Sequence, residues 1–364
     1  MEQKLTGLAL AVALAASNTS MAHEGGPVPE SHAPAGVMAD HTHKKGEVMT
    51  GYRYLRSSYS GMFHGSDEAS AHDLAMAGFS MMPTGMTMDM IMLDIMYAPN
   101  DNLTLMLMPM YMSMDMDMAS TGMAGHGHAE MSDMGEMPNM NDMSGMDGMA
   151  DMMNMHHHHS HGTSGWGDTV VSALYNWTPS SSHQLITTFG VSLPTGSVDE
   201  KNADGSFVHY GMQLGSGTFD ALPSITYTGF SGIVSWGAQA NAEIRLENEN
   251  DSGFAFGDKY GATVWSAIRV LDWMSVSARL EWSEQDSISG HYNGPHGHSS
   301  PSDLQANYGG EFLDAGIGIN TVITGGNFAG LRLGAEWITR IEEDYNGYQL
   351  GLDDGVNISL SYAF

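Results

Sequence analysis

Apolar and polar positions alternate with a period of two through most of the chain beyond residue 47. In VNISLSYAF, residues 356–364, Val356, Ile358, Leu360, Tyr362 and Phe364 share one face, and Asn357, Ser359, Ser361 and Ala363 the other. In WGAQANAEIRLE, Trp236, Ala238, Ala240, Ala242, Ile244 and Leu246 oppose Gln239, Asn241, Glu243 and Arg245. VSARLEW sets Val276, Ala278, Leu280 and Trp282 against Ser277, Arg279 and Glu281, and LRLGAEWITRI sets Leu331, Leu333, Ala335, Trp337 and Ile341 against Arg332, Glu336 and Arg340. Successive strand side chains point to opposite faces, so each segment has one apolar face with aromatic ends and one face with charges of both signs.

Strands are predicted near 48–62, 86–97, 103–112, 166–177, 184–195, 219–229, 233–246, 260–271, 274–283, 312–323, 331–341 and 356–364, about twelve in all. A soluble sandwich gives the same alternation, its charged face in water. Three features favour a membrane barrel. The segments have the roughly ten-residue length of a tilted spanning strand. The last strand carries a terminal aromatic residue. The connections alternate between short (APNDN, TPSSSH, 271–274, TGGNFAG) and long (64–85, 113–164, 197–217, 247–259, 284–310, 342–355). The expected fold is all-β: a transmembrane antiparallel up-and-down β-barrel over 47–364, with short periplasmic turns and long extracellular loops.

One face of two adjacent strands is sulfur. TGMTMDMIMLDIMYA carries Met86, Met88, Met90, Met92 and Met96 on even positions, and LTLMLMPMYMSMDMDM carries Met106, Met108, Met110, Met112, Met114, Met116 and Met118. The odd positions hold Ile91, Leu93, Ile95, Tyr97, Leu103, Leu105, Leu107 and Tyr111. An odd-length connection pairs even with even, so both methionine rows fall on one face. Isoleucine, leucine and interfacial tyrosine suit lipid, which turns the methionines, and Asp94, into the lumen. The opposite assignment would turn Ile91, Leu93, Leu105 and Leu107 toward a polar interior. Methionine as plain flexible filler accounts for one or two such positions more readily than for twelve.

Composition sharpens the chemistry. The net charge is −30 with 12 Lys plus Arg, which excludes nucleic acid as partner and favours cations. Cysteine is absent, so soft-metal binding falls to methionine and histidine. Residues 1–22 have a lysine, a short apolar run and Ser20-Met21-Ala22, the pattern of a cleavable export signal. Cleavage after Ala22 leaves His23 with a free amine beside its imidazole. Residues 23–46, with histidines at 23, 32, 41 and 43, are expected to be a disordered periplasmic segment.

The long extracellular loop 113–164 concentrates thioethers and imidazoles. His126 and His128 precede Met131, Met134, Met137, Met140, Met143, Met146, Met149 and Met152, a step of three, and His156, His157, His158, His159 and His161 follow. Thioethers suit Cu(I), imidazoles suit Cu(II), Ni(II) and Zn(II), and Asp133, Glu136, Asp142, Asp147 and Asp151 add negative field. Step-three spacing aligns side chains on an extended polyproline-like chain. Low-complexity drift, an oxidant sink and incidental nickel or zinc binding are the blander accounts. His291, His296 and His298, and more weakly His64 and His72, lie on other predicted loops.

GWGDTVVSALYNW (165–177), TTFGVSLPTGS (187–197), MQLGSGTFDALPSITYTG (212–229), APNDNLTLMLMPMY (98–111) and GD-Y-GATVWSAIRVLDW (257–273) resemble the outer-membrane transporter-like family labelled after the phenol-degradation MetA protein. The resemblance implies an outer-membrane barrel that transports small molecules, and no catalytic set. The Met/His loop departs from that family's pattern. Barrel and Met/His tracts together also resemble the copper-resistance outer-membrane protein B family, where the tract precedes the barrel.

No G-x-S-x-G, H-E-x-x-H or phosphate loop is present, so no enzyme is expected. Glu243/Arg245, Arg279/Glu281 and Arg332/Glu336/Arg340 read as luminal ion pairs that line or plug the barrel. The expected function is capture of copper-like soft cations, in uptake, efflux or sequestration, on the loop and on luminal Met88, Met90, Met92, Met106, Met108, Met110, Met112 and Met114. The alternatives are a channel for small organic solutes, and a plugged barrel acting as a surface metal or oxidant sink.

Overall fold

The computed structural model describes residues 28–122, 159–179 and 182–364. Its barrel is built from β1 (Val48–Gly65), β2 (Met81–Asn100), β3 (Leu103–Met108, resumed as Met110–Ser120) and β4 (His159–Trp166, resumed as Thr169–Asn176). These are followed by β5 (His183–Leu193), β6 (Asp220–Ser231), β7 (Val234–Arg245), β8 (Lys259–Leu271), β9 (Met274–Gln285), β10 (Gly310–Val322) and β11 (Arg332–Ala363). Each pairs antiparallel with the next, and β1 pairs with both β2 and β11, closing the ring. Closure satisfies every strand edge internally, as a hydrocarbon surround demands. Among the described residues no helix is long and apolar enough to cross a membrane.

Of these eleven strands, β11 doubles back. Residues 332–345 pair with β10 and 345–363 with β1. The two arms meet each other, Thr339 Oγ1 donating to the carbonyl of Asp353 at 3.2 Å and Asn357 Nδ2 to Glu336 at 3.3 Å. Twelve passes result, an even number, as all-antiparallel closure requires. The expected loop 342–355 is therefore corrected to paired strand. The loop expected over 113–164 also begins later, because β3 continues to Ser120 and β4 starts at His159, with Met118 opposite His159. The Met-x-Met alternation simply carries the hairpin outward. Pro109, which has no N–H to donate, marks the break in β3; its carbonyl still accepts from Leu93 N at 3.1 Å.

The alternation sorts as the sequence predicts. Leu93, Ile95, Tyr97, Leu105, Leu107 and Tyr111 face outward, while Met92, Met96, Met106, Met108, Met114, Met116 and Met118 are buried inside. Val276, Leu280, Leu333, Trp337, Ile341, Ile358 and Leu360 face outward too, and Gln239, Arg279, Glu336 and Asn357 face in.

Of the segment 23–46, expected to be disordered, residues 28–46 lie ordered inside the barrel. They enter from the short-turn rim, reach the mid-lumen and return. On the way in, Arg269 holds Glu30, Arg332 donates to Val28 O (3.1 Å) and Ser31 Oγ (2.9 Å), and Asn320 donates to Ala33 O (3.1 Å). At the deepest point Gly36 N donates to Glu336 (2.8 Å), Arg53 to Ala35 O (2.9 Å) and Gln239 to Met38 O (2.8 Å). On the way out His43 N donates to Thr104 Oγ1 (3.0 Å) and Asn176 to Thr42 Oγ1 (3.0 Å). Polar lumen walls satisfy this peptide's backbone in place of water, so its lack of bulky apolar residues does not leave it unfolded.

The long loops fold over the opposite rim. Residues 66–80 carry α1 (Ala71–Met76), started by a capping box of Ser70 and Asp73, and bury Leu74 against Met62 and Phe79. Loops 194–219 and 286–309 interleave aromatic rings: Tyr292 stacks between Phe207 and Tyr210, each at 4.3 Å, and Phe254 from 246–258 meets Tyr210 edge-on at 4.9 Å.

Candidate functional site

Between this lid and the N-terminal plug lies a chamber of about 730 Å³. Its floor is Gly36, Val37, Met38 and Ala39, and its roof includes Gly211, Gln213, Leu214, Gly215, Ser216 and Phe256. One wall holds the eight luminal methionines expected to capture soft cations: Met88, Met90, Met92, Met106, Met108, Met110, Met112 and Met114. Cross-strand register sets luminal methionines in facing pairs, Met86 opposite Met116, Met88 opposite Met114, Met90 opposite Met112, Met92 opposite Met110 and Met96 opposite Met106. Directly opposed strand residues stand about 4.5–5.5 Å apart at Cα, so each pair of thioethers is in mutual reach.

The facing wall is charged, with Glu243, Arg245, Lys259, Arg279 and Glu281. Arg245 bonds Glu243 (2.8 Å) and also Asp220 (2.5 Å). Arg279 bridges Glu281 and Glu336, reaching the latter at 2.7 Å. The predicted grouping of Arg332, Glu336 and Arg340 is corrected. Arg332 anchors the plug, Glu336 takes Arg279 and Gly36 N, and Arg340 pairs with Asp314 at 2.9 Å. Strand residues four apart lie about 13 Å from each other, so these groups find partners on neighbouring strands. Asp94 does join the lumen, neutralised by Arg53 at 2.7 Å. Sequence reasoning missed Asp220, Asp314 and Arg53, since naming a partner needs the register between strands.

Toward the short-turn rim the plug gathers its own histidines. The rings of His32 and His41 stand 4.1 Å apart and those of His41 and His43 5.1 Å apart. Asp40 accepts from His41 Nδ1 (2.7 Å) and from Ala33 N (2.8 Å). Burial pushes His43 down to about 4, and pushes His32 well below the ordinary histidine range with Arg332 adding to the effect. Burial opposes ionisation of Asp40, but the charge and bond of His41 hold it well below the usual carboxylate range.

The tract residues Met131, Met134, Met137, Met140, Met143, Met146, Met149, Met152, His126, His128, His156, His157 and His158 lie outside the described residues, as do residues 1–22, expected to be an export signal. His161, opposite Met116, is described: its Nδ1 lies 3.0 Å from Asn202 Oδ1, with the ring 5.7 Å from His209. His296 and His298 sit 4.5 Å apart on the lid, and His64 packs on Tyr348 at 4.5 Å. His209 donates to Asp303 at 2.7 Å and ties two lid loops together.

An outer membrane channel from Pseudomonas putida F1 shares the fold with a TM-score of 0.56 at 14% identity, covering 89% of this chain and 98% of that one. The P. putida toluene transporter TodX aligns over 88% of this chain and 90% of its own at 8% identity and a TM-score of 0.39. The CymD monoaromatic hydrocarbon channel aligns over 93% and 97% at 8% identity and a TM-score of 0.38. No curated protein matches in sequence. The profile of one family, described as "Putative MetA-pathway of phenol degradation", matches residues 129–333, more than half of the sequence, and the chain belongs to that family.

Proposed function

We propose that the protein is an outer-membrane channel for small organic solutes, its chamber the solute site and its N-terminal plug the gate on the periplasmic side. The observation that carries this is the chamber's divided wall. Eight thioethers offer a pliable, polarisable surface on which an aromatic ring gains roughly 0.3–1.5 kcal/mol per sulfur contact. Across from them, Arg245, Lys259 and Arg279 present donors to a hydroxyl or carboxylate. A volume of about 730 Å³ is ample for a single-ring compound. The family's description, which names phenol degradation, supports the same class of solute. Reconstituted into liposomes, a chain lacking 28–46 is expected to admit phenol and benzoate faster than the intact chain. Absence of flux in both forms sinks the channel reading.

The facing thioether pairs favour a second reading, passage or capture of copper-like soft cations, which prefer sulfur ligands. Leucine at 88, 90, 112 and 114 keeps volume and removes sulfur. Competition against a chromophoric Cu(I) chelator is expected to show fewer bound ions in that variant than in the parent. Equal binding confines any copper role to the Met/His tract; no binding in either form removes the metal reading.

A further inference from the structure

The plug carries a side-chain cluster that the channel reading does not use. His32 lies on the limb entering the lumen, and Asp40, His41 and His43 lie on the limb leaving it. Donor atoms of His32, Asp40 and His41 fall within 4.8 Å of one another, the only such group found among the described residues. Donors around an ion with bonds near 2.0–2.1 Å stand about 3.3 Å apart, so binding would draw these groups together.

The tautomers are already set. His41 Nδ1 donates its proton to Asp40 Oδ1, so the lone pair sits on Nε2, which is buried without a hydrogen-bond partner. His43 repeats the arrangement: Nδ1 lies 3.5 Å from Glu47, and Nε2 is buried and unpartnered. A carboxylate behind an imidazole whose far nitrogen is free is the usual support of a metal-bound histidine. Two buried nitrogens with no partner would otherwise be an uncompensated cost. Met49 lines the same small cavity as His32, Asp40 and His41. The nearby guanidinium of Arg332 is opposed by Asp40 and Glu30.

We propose that Nε2 of His41 and Nε2 of His43, with the His32 ring beside them and Asp40 orienting His41 from behind, bind a late first-row divalent cation that clamps the two limbs of the plug together. Imidazole nitrogen supported by a carboxylate behind the ring suits Zn(II) and Cu(II), Cu(II) the more tightly. The clamp is independent of what the chamber carries, so its failure leaves the channel reading untouched.

The Met/His tract offers metal ligands of its own, so the test needs a local readout. Hydrogen exchange is followed in the refolded full chain with and without Zn(II), comparing peptides covering 28–46 with those of the strands. At zinc about ten times the dissociation constant, exchange across 32–43 is expected to slow about tenfold. The H32Q/H41Q variant should lose that slowing while its strands exchange as in the parent. Should the double variant fail to reach the folded barrel, H41Q alone serves. Unchanged exchange at 28–46 in the parent, or slowing that persists in the variant, overturns the proposal.

Discussion

Gly36 shows how finely the plug is fitted. A Cβ there would stand 2.5 Å from Glu336 Oε2, 2.6 Å from Asn357 Nδ2 and 2.7 Å from Arg279 Nη2. All three atoms belong to one buried network, in which Arg279 and Asn357 both bond Glu336. None can retreat without breaking a bond in a place where an unpaired charge is costly. Overpacking of this kind costs about 1–3 kcal/mol. Gly36→Val is therefore expected to raise the open fraction of the plug by about tenfold. Single-channel recording would show it as more frequent opening, with the barrel's thermal midpoint unchanged. A silent variant would mean that the plug's depth does not control conduction. At this scale the sequence is informative about faces and poor about partners. Period-two alternation alone places Met88 through Met114 in the lumen, because it needs no tertiary knowledge. That Glu336 meets Arg279, and not Arg332 or Arg340, depends on inter-strand register.

Elements were legible in proportion to their regularity. All twelve passes are foreshadowed by alternating segments, and the misjudged pieces are the places where the pattern blurs. The hairpin tip near 346 reads as a polar loop because Glu342, Glu343, Asp344 and Asn346 crowd it, yet Glu342, Glu343 and Asp344 are paired with the neighbouring strand. The plug reads as disordered because composition was judged against water, whereas its solvent is the lumen wall. The lid is the least legible element, assembled from four loops separated in sequence. Its pH response follows from Asp303. Burial pushes that carboxyl up, but the bond and charge of His209 and backbone donors at Ser300 and Ser299 outweigh burial and hold it below its usual value. A depressed carboxylate contributes fully above its unfolded value of about 3.9, and the contribution fades as pH falls through the lower folded value. Near-UV circular dichroism from the stacked Phe207, Tyr292 and Tyr210 should thus stay flat from neutrality to about pH 4 and drop below it. Asp303→Asn should shrink that acid step. A loss centred near pH 6 would contradict the assignment.

For the whole molecule, the decisive contact is the seam between β1 and the second arm of β11. It runs from Met49 opposite Ala363 to Gly65 opposite Tyr345, with Phe364 and Val48 exchanging backbone bonds at 2.9 and 3.0 Å. Removing 356–364 deletes the partners of residues 49–56. Such a chain is expected to show no heat-modifiable band on a denaturing gel, the mark of a closed barrel. A folded band would mean that the remaining pairing suffices.

That seam has a temporal meaning. It joins segments about three hundred residues apart, so it is the pairing with the heaviest loop-closure cost and the one to form late. Residues 28–46 precede β1 directly, and Arg53 on β1 already grips Ala35 and Val37. Before the ring closes, the peptide can be laid sideways against an open sheet; after closure it would have to be threaded lengthwise past Glu336 and Arg279. The order of assembly thus decides whether a newly made barrel starts its life shut.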